Sequence, residues 1–401
     1  MSFELGLERL LKDAKLKTAL KGRRVGLLAH PASVDKNLNH AIDLLFAAGI
    51  PLTCAFGPQH GIKGEKQDNM IESADIIDEV YNIPLFSLYG KVRRPTPQML
   101  EHFDVLLIDL QDVGCRIYTF LTTLFYLLED ATKAKKEIWV LDRPNPAGRP
   151  IEGSLLREGF ESFVGAAPVP MRHGLTLGEA AHWYKHHKNL DVHLEVIKMA
   201  DYNPMVAPGY GWPEKDLSWV NPSPNMPRLS TARVYPGSVL IEGTTLSEGR
   251  GTTIPLEILG APGLQTRALL EQLHRDFEPW LRGARIRPIA FEPTFHKFAG
   301  QLVSGLHFHA DDRFYDPLTF QPYRAFAAIL KVVRRLNPDM VIWKQPPYEY
   351  ETVNLPFDIL SGSAFLREWV DDVSAGIGEL ENYLKPDEQH WDVARRGHLF
   401  Y

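Results

Sequence analysis

Short continuous apolar runs alternate with stretches of helical periodicity through the first half of the chain. Arg24–His30 (RVGLLAH), Leu52–Phe56, Val105–Leu110 (VLLIDL) and Glu137–Leu141 (EIWVL) read as buried strands. Ala41–Ala48 reads as a helix ended by Gly49. Leu121, Leu124, Phe125 and Leu128 recur at helical spacing between the last two strands. Strands that are apolar throughout, with helices between them, predict a parallel sheet covered on both faces. Each run ends in polar or conformationally special residues. These are His30-Pro31, Gly57-Pro58-Gln59-His60-Gly61, Asp109-Leu110-Gln111-Asp112 and Asp142-Arg143-Pro144-Asn145-Pro146. In open α/β sheets ligands bind outside the carboxyl ends of the strands, so four polar strand ends are expected on one rim.

The pattern continues less regularly. Leu175–Lys188 reads as a helix starting near Thr176 or Leu177, Val192–Ile197 as a strand, and Ser238–Glu242 as another. Tyr202–Arg228 is rich in Pro, Gly, Trp and Asn and too long for a plain connection, which marks a functional loop. After about Gly263 the character changes. Leu269, Leu270, Leu273, Phe277 and Trp280 mark an amphipathic helix, and Arg285–Phe291 and Leu302–His309 read as strands. Phe326, Leu330 and Val333 mark a further helix, and Phe365, Trp369, Val373, Ile377 and Leu380 one last helix. The expected fold is α/β: a Rossmann-like, largely parallel sheet domain over residues 1–262, then a smaller α+β domain over 263–401.

Composition narrows the chemistry. At 401 residues the chain suits about two domains. Its 44 Lys and Arg against 50 Asp and Glu give a formal charge of −6, which argues against a nucleic-acid surface. Cys54 and Cys115 are too few for a disulfide framework or a zinc cluster. Cys54 lies in an apolar run and reads as core; Cys115 sits in a polar motif. No apolar run approaches the roughly 20 residues that span a bilayer. The N-terminus does not read as a signal peptide, so the expectation is a soluble, cytoplasmic protein with no membrane partner. No Gly-x-Gly-x-x-Gly or Walker-type motif follows an early strand, so no nucleotide cofactor is expected. No His-Glu-x-x-His spacing is present, His186-His187 and His193 read as solvated, and no metal is expected. The Gly-x-Ser-x-Gly elbow of a serine nucleophile is missing.

Several segments carry candidate chemistry, each with a plainer alternative. Gln59 and His60 sit in a Gly/Pro-fixed turn and face either a substrate or only the turn itself. Asp112, Arg116 and Tyr118 follow the third strand and suit a polar ligand, or Asp112 and Arg116 pair structurally. Asp142 stands at a strand end beside Arg143 and the proline-flanked Asn145, where it serves either a ligand or the loop amides. Asn225 lies in the rigid Asn221–Pro227 loop, a recognition element or a plain connection. The densest segment is Glu242–Thr253, where Glu248 and Arg250 lie among glycines. An arginine there suits a carboxylate ligand. Residues alone carry the reading as far as a hydrolase or binding protein for a polar, anionic ligand.

At these motifs the chain resembles the exo-β-N-acetylmuramidases, a family long filed as a domain of unknown function. The matching segments include Phe56–Gly61, Ser87–Gly90, Asp109–Thr119, Leu141–Gly148 (LDRPNPAG), His173–Glu179, Pro222–Pro227, Tyr235–Pro236, Glu242–Gly243, Ser247–Thr253 (SEGRGTT), Phe291–Gly305 and the tail Arg396–Tyr401. The resemblance implies an active site in a cleft between the two domains. It implies release of N-acetylmuramic acid from the non-reducing end of peptidoglycan fragments, in cell-wall recycling. The lactyl carboxylate of that sugar gives Arg116, Arg143 or Arg250 a counter-charge, and its acetamido group can act as an internal nucleophile. Many members read Pro-Glu-His-Gly where this chain reads Pro58-Gln59-His60-Gly61. A glutamine does not exchange a catalytic proton in the ordinary way. Three outcomes are open: the acid role passes to Glu248 first, or to Asp112 or Asp142, with Glu65 and Glu72 behind them; or Gln59 only positions the acetamido group; or the chain hydrolyses a different sugar or binds without cleaving. A non-catalytic muropeptide-binding protein and a hydrolase of another class are the competing readings.

Overall fold

The four early apolar runs are neighbouring strands of one sheet in the computed structural model, which describes residues 2–64, 74–349 and 351–401. The strands are β1 (Val25–Ala29), β2 (Leu52–Gly57), β3 (Ile76–Ile77), β4 (Pro84–Ser87), β5 (Val105–Asp109), β6 (Glu137–Leu141) and β7 (His193–Ile197). Their order is β3-β4-β2-β1-β5-β6-β7, and every pairing is parallel except that of β3 with β4. The carboxyl ends of β1, β2, β5 and β6 therefore share one rim, as the strand pattern predicts.

Alternation along the strands explains why the runs are apolar throughout. Leu28, Leu106, Ile108, Ile138 and Val140 enter one buried cluster, while Leu27, Ala29, Leu107, Trp139 and Leu141 enter another. Both faces are thus core. The helices Thr119–Ala134 and Leu177–His187 cover the first face, where Phe125 stacks on Tyr184 at 3.9 Å between ring centroids.

The second sheet is small and antiparallel: β8 (Ile258–Ala261), β9 (Arg285–Phe291) and β10 (Val303–His309), in the order β8-β10-β9. β8 lies before the 262/263 division expected from the sequence, yet pairs with β10. Leu269, Phe308 and Phe326 of this half belong to the same buried cluster as the first face of the large sheet, so one core runs through both halves.

Two expectations are corrected. Ser238–Glu242 is not a strand: the helix Leu229–Ser238 runs on into a 3₁₀ turn, Val239–Gly243. The stretch is buried on all sides, and a short apolar run surrounded by core has no periodicity to separate strand from helix. The last helix is two helices, Phe365–Asp371 and Ile377–Arg395. Asp372 accepts from the Ser374 amide at 2.9 Å and hydroxyl at 2.6 Å, a local turn that competes with helix continuation. The Glu379 carboxylate then caps the Gly376 amide at 2.9 Å. Among the described residues no helix is long and apolar enough to cross a membrane.

Candidate active site

The rim of the large sheet and the start of the second half line one small cavity. After β2 the Pro58 carbonyl accepts from the Gly61 amide at 2.9 Å, closing a turn. His60 holds φ 71° at its third position, a left-handed conformation uncommon outside glycine. Gly57 is required just before, since a Cβ there would lie 2.5 Å from the Ile62 amide nitrogen. This path sets Gln59 and His60 on the cavity wall. After β5, Tyr118 and Thr119 reach the wall at the start of the helix Thr119–Ala134. The Thr119 hydroxyl donates to Gln59 Oε1 at 2.7 Å, which leaves the amide nitrogen as that side chain's remaining hydrogen-bonding group. Ser223 and Asn225 come from the long loop, turned by the Met226 amide donating to the Ser223 carbonyl at 3.0 Å.

The opposite wall comes from the second half of the chain and carries the charge. Tyr235, Glu242, Arg250, Tyr348 and Glu349 line it. Arg250 Nη2 donates to Glu242 Oε1 at 2.7 Å, and the Tyr348 hydroxyl donates to Glu242 Oε2 at 3.0 Å. Tyr348 and Glu351 exchange two main-chain hydrogen bonds of 2.9 Å, a tight hairpin in which Glu349 holds φ 46°. Such backbone strain persists where surrounding contacts fix it, and it gathers at functional sites. Tyr89, from the Ser87–Gly90 segment after β4, donates to Glu349 Oε2 at 2.8 Å. Burial pushes the Glu349 carboxyl up to about 7. The nearby Glu242 charge adds to that shift, while the Tyr89 hydrogen bond, Arg93 and Arg250 oppose it. Glu349 therefore carries its proton up to neutral pH, beside a second carboxylate paired with arginine.

Glu248 is 1% exposed and does not line the cavity. Its Oε2 accepts from Lys297 at 2.8 Å, and Arg250 Nε lies 3.3 Å from its Oε1. Burial alone would raise this carboxyl, but Lys297, Arg250 and His296 outweigh it and hold Glu248 well below the usual range. Arg250 thus has carboxylates on Nη2 and Nε, while among the described residues its buried Nη1 has no hydrogen-bond partner. The flanking glycines allow the loop to meet the chain itself: a Cβ on Gly251 would lie 2.7 Å from the Phe295 main chain.

Five candidates read from the sequence, Gln59, His60, Tyr118, Asn225 and Arg250, meet at this cavity. The others are committed elsewhere. Arg116 donates to the carbonyls of Ser154 and Val169 at 2.8 Å and of Leu360 at 3.1 Å. Arg143 donates to Asp109 Oδ2 at 3.0 Å and to the Val34 carbonyl at 2.8 Å. Asp142 accepts from the Gly178 amide at 2.8 Å, the Thr176 hydroxyl at 2.7 Å and the Tyr401 hydroxyl at 2.8 Å. Asn145 closes its own turn, accepting from the Ala147 amide at 2.9 Å and donating to the Leu175 carbonyl at 2.9 Å. Asp112 accepts from the Gly114 amide at 2.7 Å and lies 3.6 Å from His173. Glu65 and Glu72 lie outside the described residues. Cys54 and Cys115 are both buried.

Sequence reasoning missed Tyr348 and Glu349 altogether. Glu242 it placed at a segment end and in the matching pair Glu242–Gly243, without a role of its own. The signal for Glu349 was Gln345-Pro346-Pro347-Tyr348-Glu349, a proline-stiffened stretch of the kind that drew attention to Asn221–Pro227.

Residues 25–230 match a family model described as "Exo-beta-N-acetylmuramidase NamZ, N-terminal", and residues 233–401 match its C-terminal counterpart. "Peptidoglycan beta-N-acetylmuramidase NamZ" of Bacillus subtilis (strain 168) is 36% identical over 400 residues, 99% of this chain and 91% of that protein. Among solved structures, a DUF1343 family protein of Bacteroides fragilis NCTC 9343 is similar with a TM-score of 0.85 at 30% identity, covering 100% of this chain and 99% of that one. A second DUF1343 protein of the same organism shares the fold, with a TM-score of 0.75 at 23% identity over 100% of this chain and 99% of that one.

Proposed function

The chain belongs to the NamZ family of exo-β-N-acetylmuramidases and is a glycoside hydrolase of that kind; from this premise we propose how its cavity releases N-acetylmuramic acid from the non-reducing end of peptidoglycan fragments. The observation that carries the reading is a pair of buried carboxyls on one cavity with different partners. Glu349 keeps a proton to about pH 7, and Glu242 is ion-paired with Arg250. Glycoside hydrolysis needs one group to protonate the departing oxygen and a second to meet the positive charge at the anomeric carbon.

Glu349 is the general acid. Tyr89 occupies its Oε2, which leaves Oε1 to carry the proton toward the glycosidic oxygen. Glu242 supplies the negative charge, fixed by Arg250 and Tyr348 so that little reorganisation accompanies bond cleavage. Gln59, held by Thr119, offers its amide nitrogen as a donor to a hydroxyl oxygen of the sugar and positions the ring. A glutamine suffices for this, because the proton comes from Glu349. Arg250 Nη1 receives the lactyl carboxylate, and Glu248 with Lys297 holds the guanidinium in place.

The test is Glu349→Gln assayed on the MurNAc–GlcNAc disaccharide and on an aryl MurNAc glycoside. The aryl leaving group departs without protonation. We expect disaccharide turnover to fall by roughly 10²–10⁴ with aryl glycoside turnover largely kept. Glu242→Gln is expected to lose both. Disaccharide turnover near the parent rate in a folded Glu349→Gln would sink the assignment.

A further inference from the structure

Three histidines converge on the outer side of the large sheet, among residues that do not line the cavity. His182 and His186 are four apart on the helix Leu177–His187 and share one face. His398 arrives from the turn Arg396–His398, and its Nδ1 lies 2.9 Å from His182 Nδ1 although the two are 216 residues apart. One ring nitrogen from each of the three lies within 4.8 Å of the others. His186 Nδ1 lies 2.7 Å from the His182 carbonyl oxygen, which only accepts. The proton therefore sits on Nδ1, and the lone pair of Nε2 is available. A carbonyl fixing the tautomer in this way is the usual outer support of a metal-binding imidazole.

We propose that His182, His186 and His398 form a three-imidazole site for a zinc-type divalent ion that clips the C-terminal tail to the helix Leu177–His187. Zinc–nitrogen bonds of about 2.0–2.1 Å in a tetrahedron set the nitrogens roughly 3.3 Å apart. The 2.9 Å pair opens slightly and the wider separations close, which side-chain rotation supplies. The ion replaces the hydrogen shared by the two Nδ1 atoms, and that proton moves to Nε2 of its own ring. Three nitrogens and a water favour zinc, nickel or copper over magnesium or calcium.

The clip has a defined consequence, because the tail is wired into the rim. The Phe400 amide donates to Glu179 Oε1 at 2.7 Å, and the Tyr401 hydroxyl donates to Asp142 Oδ2 at 2.8 Å. Lys198 lies over the Phe400 ring, 4.2 Å from its centroid, and Lys185 is on the same helix, so the ion binds against local positive charge. The sequence expectation of no metal weighed His186, His187 and His193, and had no means of bringing His398 beside His182.

The test uses the full chain stripped with EDTA and titrated with Zn²⁺ alone by calorimetry, with Tm followed in parallel. One ion per chain and a Tm rise in Zn²⁺ but not in Mg²⁺ are expected. His186→Ala, at an exposed position, and His398→Ala should each weaken binding roughly tenfold or more and abolish the Tm shift. Glycosidase activity without zinc should stay unchanged, and His193→Ala is the control expected to bind as the parent does. Binding below one ion per chain, or equal binding in His186→Ala, would overturn the site. Loss in His186→Ala alone, with His398→Ala binding normally, would overturn the clip.

Discussion

At the scale of single residues the site is a division of labour between two carboxyls. Glu349 binds its proton more tightly in the fold, at about 7, than at its ordinary 4.5. Its contribution to stability is therefore fully present below about pH 4.5 and is lost as the pH rises through 7. Activity that needs the protonated form should decline above the same point, and Glu349→Gln should lose that alkaline limb. At pH 8 the variant should be more stable than the parent by roughly 1–3 kcal/mol, a gain that vanishes below pH 4.5. Denaturant melts at the two pH values check the sign. Arg250 is the specificity counterpart. Arg250→Lys loses Nη1, and the KM for MurNAc–GlcNAc should rise roughly tenfold to a hundredfold with less effect on a substrate lacking the lactyl group. Equal losses on both substrates would remove the lactyl contact from the proposal. Gln59, His60, Tyr118, Asn225 and Arg250 were legible because glycine, proline and strand ends punctuate them. Glu349 was not, because nothing local ties a hairpin near residue 349 to a rim built before residue 120.

At the scale of elements, the parallel sheet was legible and the path into the second half was not. Apolar strands of five or six residues with polar ends have few alternative readings, so β1, β2, β5 and β6 stand where their pattern put them. The run around Ser238–Glu242 reads as a strand in isolation, yet it is buried helix. Its helical path depends on a close crossing. A Cβ on Gly237 would lie 2.2 Å from the Pro322 carbonyl oxygen, so the helices Leu229–Ser238 and Pro322–Leu336 meet only over a glycine. Gly237→Ala should cost about 1–3 kcal/mol, because the atom it meets is backbone and does not step aside. Glu242 lies five residues further along the same stretch, so kcat should fall as well. A thermal melt with kinetics on the folded fraction checks both, and an unchanged Tm would refute the crossing argument.

At the scale of the whole molecule, the two halves share one core, and the cavity exists only where they meet. Arg116 makes the distinction between binding and architecture testable. The resemblance to muramidases offered it as a partner for the substrate carboxylate. In the fold its guanidinium is buried and holds the carbonyls of Ser154 and Val169, on loops beyond the large sheet, together with the Leu360 carbonyl from the second half. Burial pulls its pKa down, the cost of keeping a cation among carbonyl dipoles. Replacing it by methionine keeps much of the volume but leaves three buried acceptors without donors, a loss on the order of 3–5 kcal/mol. Arg116→Met should therefore lower Tm sharply while leaving the KM of the folded enzyme for MurNAc–GlcNAc within about twofold. A raised KM with an unchanged Tm would mean that the guanidinium serves the sugar. The expected outcome would mean that a polar motif at a strand end, the very pattern that locates the rim, also supplies the bolt between the halves that build the site.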